Sequence, residues 1–300
     1  MIRIGVDFGG TKIEAAALGD TGTFLARVRE PNPGEYHAAI DAVVRLVGEA
    51  ESQAGIGQTN VGLGMPGSIS PKTGLVRNSN SVWLNGMPFD KDVAAALGRP
   101  LRVENDANCF ALSEATDGAA QGQRVVFGAI LGTGCGGGVV VGGRTVEGRN
   151  RIGGEWGHSP LPWPSADERA AHHCWCGRGN CLETWISGTG FAEDYKDATG
   201  KPLKGSEIIA LARTGDAEAG AAFDRYIDRL GRAFAVICDI LDPDAIVCGG
   251  GMSNTTEIYD RIVPAIRKYV FSDVFTTPVL PAAHGDSSGV RGAAWLWPSA

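Results

Sequence analysis

Apolar residues near the start of the chain follow first the period of strands and then that of a helix. Three short apolar runs separated by glycine turns, "IRIGVDFG", "TKIEAAAL" and "TFLARVRE", predict a β-meander. After Glu35, apolar residues recur at Ile40, Val43 and Val47, the spacing of an amphipathic helix, and Gly55 closes it. The chain is therefore predicted to open with a strand meander followed by a helix.

Beyond this helix, buried strands alternate with amphipathic helices. The segments 66–86 and 148–180 are rich in Gly, Pro and polar residues and are predicted loops. A meander followed by such alternation is typical of a mixed α/β sheet. The predicted strands are "NVGLGM", "LRVEN" and "DAIVCGGG", and the predicted helices are "DANCFALSEATDGAA", "AEAGAAFDRYIDRLGRAFAVICDILDP", "TEIYDRIVPAIRKYV" and "SSGVRGAAWLW".

The opening pattern returns in the middle of the chain. "GVDFGGTKIEAAAL" and "GAILGTGCGGGVVVGG" each place Gly and Thr in a tight turn between two apolar strands. This weak internal repeat predicts two similar halves, residues 1–115 and 116–287, and the second half carries a cysteine-rich loop over 148–183.

Composition and charge narrow the class of protein. The 300 residues are 43% hydrophobic and 20% charged, which is globular composition with room for two domains of about 100 to 200 residues. A net charge of −7 without a Lys/Arg-rich block disfavours nucleic acid or an anionic membrane as a partner. The start lacks a signal-like segment, and no run of about 18 apolar residues occurs, so we expect a soluble cytoplasmic protein.

The two glycine turns are candidate phosphate-binding sites. Glycine lets backbone amides approach a phosphate closely, and Thr11 and Thr133 add hydroxyl donors. Asp7, beside the first turn, could hold Mg²⁺ through water. A third glycine corner follows a buried strand in "VCGGGMS", a position where α/β sheets commonly receive ligands. A plain hairpin turn for the first and a helix-start turn for the third remain the alternatives.

Three better-known nucleotide motifs fail on context. "GTGCGG" fits the dinucleotide pattern G-x-G-x-x-G, but the strand "GVVVGG" follows where a helix is required. The "DFG" at Asp7 has six residues before it and no H-R-D elsewhere, so it does not fit a protein kinase. No G-x-x-x-x-G-K-[ST] occurs, which removes the P-loop.

Three of the seven cysteines form a candidate metal site. Cys174, Cys176 and Cys181 have the spacing C-x-C-x4-C, and Zn²⁺ requires four N or S ligands. A disulfide would leave the third thiol unpaired, so a metal is the better interpretation. Local spacing does not choose the fourth ligand, for which the candidates are His158, His172 and His173. The other four cysteines, which lie among apolar or Gly residues, are predicted core residues: Cys109, Cys135, Cys238 and Cys248.

Six motifs in this order resemble the ROK family of sugar kinases: "DFGGTK", "GMPGSISP", "ENDANC", "GTGCGGG", "GGEWGH" and "CWCGRGNCLE". The resemblance implies an actin-like ATPase (ribonuclease H-like) α/β fold with two lobes and a ligand cleft between them. It also implies that a C-terminal helix at about 288–300 packs back on the first lobe. Within the family, residues 66–92 and 283–298 resemble bacterial fructokinases that also accept mannose.

The resemblance implies ATP- and Mg²⁺-dependent phosphorylation of a hexose, first of all D-fructose to fructose 6-phosphate. Kinases for glucose, mannose or N-acetylglucosamine are the alternatives within the class, and a sugar-sensing regulator without enzymatic activity is the alternative outside it. A homodimer is also expected. Asp106 would be the general base, and His158 would complete a structural zinc site with Cys174, Cys176 and Cys181.

The expected binding residues fall into two sets. The sugar ligands are Gly67, Asn80, Asn105, Asp106, Glu155, His158 and Glu183. The ATP and Mg²⁺ ligands are Asp7, Gly9, Gly10, Thr11, Lys12, Gly132, Thr133, Gly134, Gly249, Gly250 and Gly251.

Overall fold

The computed structural model describes residues 1–169 and 172–297, and these form two compact units. The first comprises Met1–Gly122, Gly138–Gly154 and the chain from His284 onward; the second comprises Gln123–Gly137 and Glu155–Ala283. These bounds differ from the predicted halves, because residues 138–154 pack with the first unit instead of the second.

The first unit contains a five-stranded sheet in the order β3-β2-β1-β4-β7. The predicted meander is confirmed, since β1, β2 and β3 pair antiparallel, whereas β4 and β7 join the other side in parallel. A two-stranded ribbon, β5 with β6, lies outside this sheet. The strands are β1 (Arg3–Phe8), β2 (Lys12–Leu18), β3 (Phe24–Pro31), β4 (Val61–Met65), β5 (Ser68–Ile69), β6 (Val76–Arg77) and β7 (Leu101–Asn105).

Helices of the first unit bury an apolar face against this sheet. The stripe predicted at Ile40, Val43 and Val47 is buried in the core, as the helical period requires. The helices before residue 122 are α1 (Tyr36–Gln53), α2 (Phe89–Leu97) and α3 (Asp106–Thr116).

The second sheet repeats the strand order of the first. Its order is β10-β9-β8-β11-β12, so β8 occupies the place of β1, with a meander on one side and the parallel strand β11 on the other. The internal repeat of the sequence is therefore a repeat of topology. The strands are β8 (Val125–Leu131), β9 (Cys135–Val141), β10 (Arg144–Thr145), β11 (Ala245–Gly249) and β12 (Val279–Pro281).

Helices of the second unit include the long predicted one, α7, which ends just before Pro243. Among the described helices, none combines the length and the apolar character needed to cross a membrane. Three short 3-10 turns, Trp156–His158, Asp167–Arg169 and Gly251–Asn254, lie in the connecting loops. The helices are α4 (Glu183–Ile186), α5 (Gly188–Thr199), α6 (Gly205–Arg213), α7 (Ala217–Leu241) and α8 (Glu257–Arg267).

The final helix, α9 (Ser288–Trp295), returns to the first unit and packs on β1, β4 and α3. Two strand glycines make this close approach possible. A Cβ on Gly5 would lie 1.9 Å from the Val290 carbonyl oxygen, and one on Gly62 would lie 1.9 Å from that of Ala293. Any side chain at either position would therefore push α9 off the sheet.

The four isolated cysteines are core residues, as predicted. Cys109 and Cys248 are fully buried, and Cys135 and Cys238 are each 6% exposed. Burial raises the pKa of each of these thiols, and they pack as small hydrophobic groups.

Candidate active site and metal cluster

The turn between β1 and β2 carries the first predicted phosphate-binding segment. The Gly9 amide donates to the Lys12 carbonyl at 3.0 Å and closes the turn. Asn32 then fixes its shape, because its side-chain amide donates to the Gly9 carbonyl at 2.7 Å and its backbone amide donates to the Thr11 carbonyl at 2.9 Å. Gly10 and Thr11 are exposed at the tip. Asn32 lies just beyond β3 and was not among the predicted site residues.

Asp7 lies near the end of β1, directly before this turn. Burial is the largest cause that raises its pKa to about 6; the neighbouring Asp106 and Glu14 carboxylates add to it, and Lys12 opposes it. Lys12 Nζ lies 4.0 Å from a carboxylate oxygen of Glu14. A carboxylate whose charge is disfavoured in this way attracts a cation or a proton. The position suits an Mg²⁺ ion better than it suits an unaccompanied negative charge.

Asn105 and Asp106 occupy the junction of β7 and α3. Asn105 caps the helix, because its Oδ1 accepts from the Ala107 amide at 2.9 Å. Its Nδ2 donates to the Gly67 carbonyl at 3.1 Å, so two predicted sugar ligands are joined directly. Asp106 is the first residue of α3, and its side chain is exposed. Its Oδ1 also accepts from the Ala107 amide, at 2.8 Å.

Asn80 lies in the loop between β6 and α2, with its side chain exposed. The loop is held by Asn85, whose Oδ1 accepts from the Ser79 amide and whose Nδ2 donates to the Ser79 carbonyl, both at 2.9 Å. This reciprocal pair fixes the backbone immediately before Asn80.

Glu104 is a buried carboxylate beneath Asn105 that sequence reasoning missed. It accepts from the Asn105 amide at 2.8 Å, from Asn108 Nδ2 at 3.1 Å and from Thr145 Oγ1 at 3.1 Å. Burial raises its pKa, and these three donors oppose that shift. Glu104 thereby braces the strand end that carries Asn105 and Asp106.

In the second unit, two of the predicted nucleotide-binding segments lie side by side. The turn between β8 and β9 is closed by the Gly132 amide, which donates to the Gly134 carbonyl at 3.0 Å. The Gly188 amide donates to the Gly132 carbonyl at 2.7 Å. Gly250, at φ +83°, packs so closely on the end of β8 that a Cβ there would lie 2.6 Å from its backbone. The exposed Thr133 lies at the tip of the turn.

Glu183, the first residue of α4, points its carboxylate at this turn. The Cys135 amide donates to Oε2 at 3.0 Å, and the indole Nε1 of Trp175 donates to Oε1 at 2.7 Å. A Cβ on Gly134 would lie 2.6 Å from Oε2. A side chain at position 134 would therefore displace this carboxylate.

Glu155 and His158 are placed by the short helix Trp156–His158. Trp156 anchors that helix, because its indole N–H donates to the Gly136 carbonyl at 2.7 Å and its ring stacks on Phe234 with centroids 5.4 Å apart. Glu155 is exposed, and His158 is partly buried.

The cysteine loop and His158 bring four metal-ligating side chains together. One ligand atom from each of His158, Cys174, Cys176 and Cys181 lies within 4.8 Å of all the others. Cys174 Sγ is 3.6 Å from His158 Nδ1, and Cys176 Sγ is 3.6 Å from Cys181 Sγ. Zinc bonds of about 2.0 to 2.3 Å in a tetrahedron separate ligand atoms by roughly 3.3 to 3.8 Å. The donor set therefore fits Zn²⁺, and these two pairs of ligand atoms already have tetrahedral spacing.

The structure groups His158 with the three cysteines, as the family resemblance implied and as local spacing alone did not decide. His172 and His173 do not belong to the four-residue group, and the His172 ring instead meets Trp185 edge-on with centroids 4.2 Å apart. Gly177, at φ +85°, closes the loop by donating its amide to the Cys174 carbonyl at 3.0 Å. This turn allows the thiols to converge.

A buried ion network anchors the segment that precedes the cysteine loop. Glu168 Oε1 accepts from Arg229 Nε and from Arg232 Nη2, both at 2.8 Å. Burial alone would raise the pKa of Glu168, but the two guanidinium groups hold it at about 2. Arg232 also donates to the carbonyls of Pro162 and Trp163, each at 3.0 Å. The sequence signal for this network was the presence of Arg229 and Arg232 on the face of α7 that its apolar residues predict to be buried.

Two sheets of the same strand order, each with a glycine turn after its first strand, define the actin-like ATPase fold. The ROK family model matches residues 3–300. The N-acetyl-D-glucosamine kinase of Photobacterium profundum is 40% identical over 97% of this chain and 98% of its own length. The chain therefore belongs to the ROK family, among its sugar kinases.

Solved structures agree with this assignment. The ROK hexokinase of Thermus thermophilus has a TM-score of 0.88 and 31% identity, covering 99% of this chain and 97% of its own. A ROK family glucokinase from Streptomyces griseus, solved with glucose and AMPPNP, has a TM-score of 0.78 and 30% identity, covering 98% of both chains. The actin-like ATPase fold and the general class of sugar kinase, both expected from the motifs, are thus confirmed.

Proposed function

We propose that the protein transfers the γ-phosphate of ATP to a hydroxyl group of a hexose, with N-acetyl-D-glucosamine as the first candidate substrate. The observation that carries the proposal is the exposed Asp106 carboxylate at the start of α3, beside an Asn105 that is locked to Gly67. The relative from Photobacterium profundum, which is named for this amino sugar, supports the choice of substrate.

D-Fructose is the second candidate. Residues 66–92 and 283–298 resemble bacterial fructokinases, and this resemblance includes Asn80 and the segment around α9. The relatives named above do not include a fructokinase, so they favour the amino sugar. A buried polar group that loses its hydrogen bond to a sugar hydroxyl costs about 1 to 3 kcal/mol of binding free energy, and a few side chains therefore decide this choice.

In this proposal Asp106 accepts the proton of the attacking sugar hydroxyl. Phosphoryl transfer has a loose transition state, so catalysis consists mainly of positioning and of charge stabilisation. The N-terminal cap of α3 fixes the positions of Asn105 and Asp106, and Glu104 holds the end of the preceding strand by accepting from the Asn105 amide. The exposed residues Gly10, Thr11 and Thr133 at the tips of the two glycine turns are suited to contact phosphate oxygens.

Two metals have residues that suit them. An Mg²⁺ ion held near Asp7 through water would neutralise charge on the phosphates. The cluster of His158 with Cys174, Cys176 and Cys181 provides four N and S ligands and leaves no open position, which is typical of structural zinc. His158 would then keep its second ring nitrogen for a sugar hydroxyl, beside the Glu183 carboxylate.

A coupled assay with ATP and Mg²⁺ tests the proposal by comparing kcat/KM for N-acetyl-D-glucosamine, D-fructose, D-mannose and D-glucose. We expect the highest value for N-acetyl-D-glucosamine, with a phosphomonoester as the product. A highest value for D-fructose would overturn the substrate assignment and keep the reaction. Sugar binding by calorimetry without turnover of any hexose would overturn the reaction itself and favour a sugar-sensing regulator.

A further inference from the structure

Trp175 lies between two candidate zinc ligands and contacts two candidate sugar ligands. Its side chain is 68% exposed, yet its indole Nε1 donates to Glu183 Oε1 at 2.7 Å. Its ring also meets the His158 ring edge-on, with centroids 5.0 Å apart. A large aromatic side chain gains little from burial when it is this exposed, so its two directed contacts are the feature that its position provides.

We propose that Trp175 is a positioning residue, which couples the metal cluster to the orientation of Glu183. The inference rests on the proposed role of Glu183 as a sugar ligand. In this arrangement the cysteine loop holds Trp175, and the indole N–H in turn fixes one oxygen of the carboxylate. The cluster would therefore orient Glu183 as well as His158.

The geometry of the carboxylate explains why a second donor is needed. The Cys135 amide holds only Oε2, at 3.0 Å, and the terminal torsion of a glutamate side chain is broad. The Trp175 donor on Oε1 stops rotation about that torsion. Each oxygen can accept two hydrogen bonds, so both keep one acceptor position for a sugar hydroxyl.

The neighbouring thiol does not replace the indole. Cys174 Sγ lies 3.8 Å from Glu183 Oε1. As a metal-bound thiolate it would have no proton to donate, because metal binding requires the deprotonated sulfur. The role of the indole N–H is therefore greatest when the cluster holds its metal.

The test is Trp175→Phe, which keeps an aromatic ring against His158 and removes only the N–H donor. Because the side chain is largely exposed, we expect the variant to fold and to keep its zinc, measured by elemental analysis. The KM for the sugar should rise roughly 10-fold, the size expected for a lost hydrogen bond to a charged group. The kcat and the KM for ATP should stay within about 2-fold.

Trp163→Phe is the matched control. Trp163 is 53% exposed and stacks on Tyr269, with no bond from its indole to Glu183. We expect its sugar KM to equal that of the wild type. An unchanged sugar KM in Trp175→Phe would overturn the inference. That result is also what we expect if the aromatic ring, instead of the indole N–H, contacts the sugar. Loss of zinc in Trp175→Phe would overturn it too, by showing a role in assembling the cluster.

A double-mutant cycle with Glu183→Ala separates this inference from the function on which it rests. Once the carboxylate is gone, adding Trp175→Phe should change the sugar KM by less than about 2-fold. Fully additive effects would contradict the coupling. If Glu183→Ala alone leaves the sugar KM unchanged, the proposed role of Glu183 fails; if only Trp175→Phe does so, the inference about Trp175 fails alone.

Discussion

Asp7 in the first unit has surroundings opposite to those of Glu168 and Glu183 in the second. In the first unit, Asp7 has its pKa raised to about 6 by burial and by the carboxylates of Asp106 and Glu14. In the second unit, Glu168 is held at a pKa of about 2 by two guanidinium groups, and Glu183 accepts from Cys135 and Trp175. The first unit disfavours negative charge at Asp7, whereas the second stabilises it at Glu168.

This difference indicates a division of tasks. Clustered carboxylates such as those of the first unit favour a cation and suit proton transfer and metal-assisted phosphate chemistry. Carboxylates that are already held by donors, as in the second unit, are preorganised acceptors suited to recognising hydroxyl groups. The comparison can be tested by changing one group at a time.

Asp106→Asn should give the largest effect. The amide keeps the shape of the side chain but cannot accept the hydroxyl proton, so kcat should fall roughly 1000-fold, a loss of about 4 kcal/mol in transition-state stabilisation. Sugar binding, measured by calorimetry, should remain within about 3-fold of wild type. Asp41→Asn, at an exposed position of α1, is the control and should be fully active. Turnover near wild type in Asp106→Asn would remove the base assignment.

Asp7→Asn should stabilise the fold while impairing Mg²⁺-dependent turnover. The pKa of Asp7 in the folded protein lies above the usual 3.8, so this carboxyl ionises at a lower pH in the unfolded chain. The wild-type fold therefore loses stability as the pH rises from 3.8 to about 6. Above pH 6 the variant should gain up to about 3 kcal/mol, and below pH 3.8 it should gain nothing. Denaturant unfolding without metal at several pH values measures this. An equal gain at every pH would contradict the electrostatic explanation.

Glu168→Gln should change the stability of the fold in the opposite direction to Asp7→Asn. Its folded pKa of about 2 lies below the usual 4.5, so the carboxylate stabilises the fold above pH 4.5 and loses this contribution as the pH falls toward 2. The same unfolding measurements should show a deficit at pH 7 that narrows in acid. A deficit that does not depend on pH would indicate lost packing instead of lost charge.

Gly134→Ala should give the smallest effect and the most local one. The new Cβ would meet Glu183 Oε2 at 2.6 Å and displace the carboxylate, so the sugar KM should rise roughly 10-fold, about 1.4 kcal/mol. Gly220→Ala in α7 has open space around its Cβ and should leave the sugar KM unchanged. An unchanged KM in Gly134→Ala would show that the preorganisation of Glu183 does not matter for binding.

Much of the framework follows from local sequence. The meander, α1, α3 and α7 were predicted from apolar period, glycine turns and Pro243, and the structure confirms them. Helices α2, α4, α5 and α6 were not predicted, because each lies within or beside a segment rich in glycine and polar residues. The return of residues 138–154 to the first unit also left no local signal.

The sequence by itself determined which kinds of groups the site holds. These groups are Asn105 and Asp106 at a strand–helix junction, the glycine turns and the three cysteines, and each depends on neighbours within a few residues. Local spacing left three histidines open as the fourth metal ligand, and the family resemblance implied His158, which the structure places beside the cysteines. Only the tertiary structure brought Trp175 and Gly134 to Glu183. The physical reason is that spacing constrains a chain over one turn, whereas the meeting of distant segments depends on how the whole loop packs.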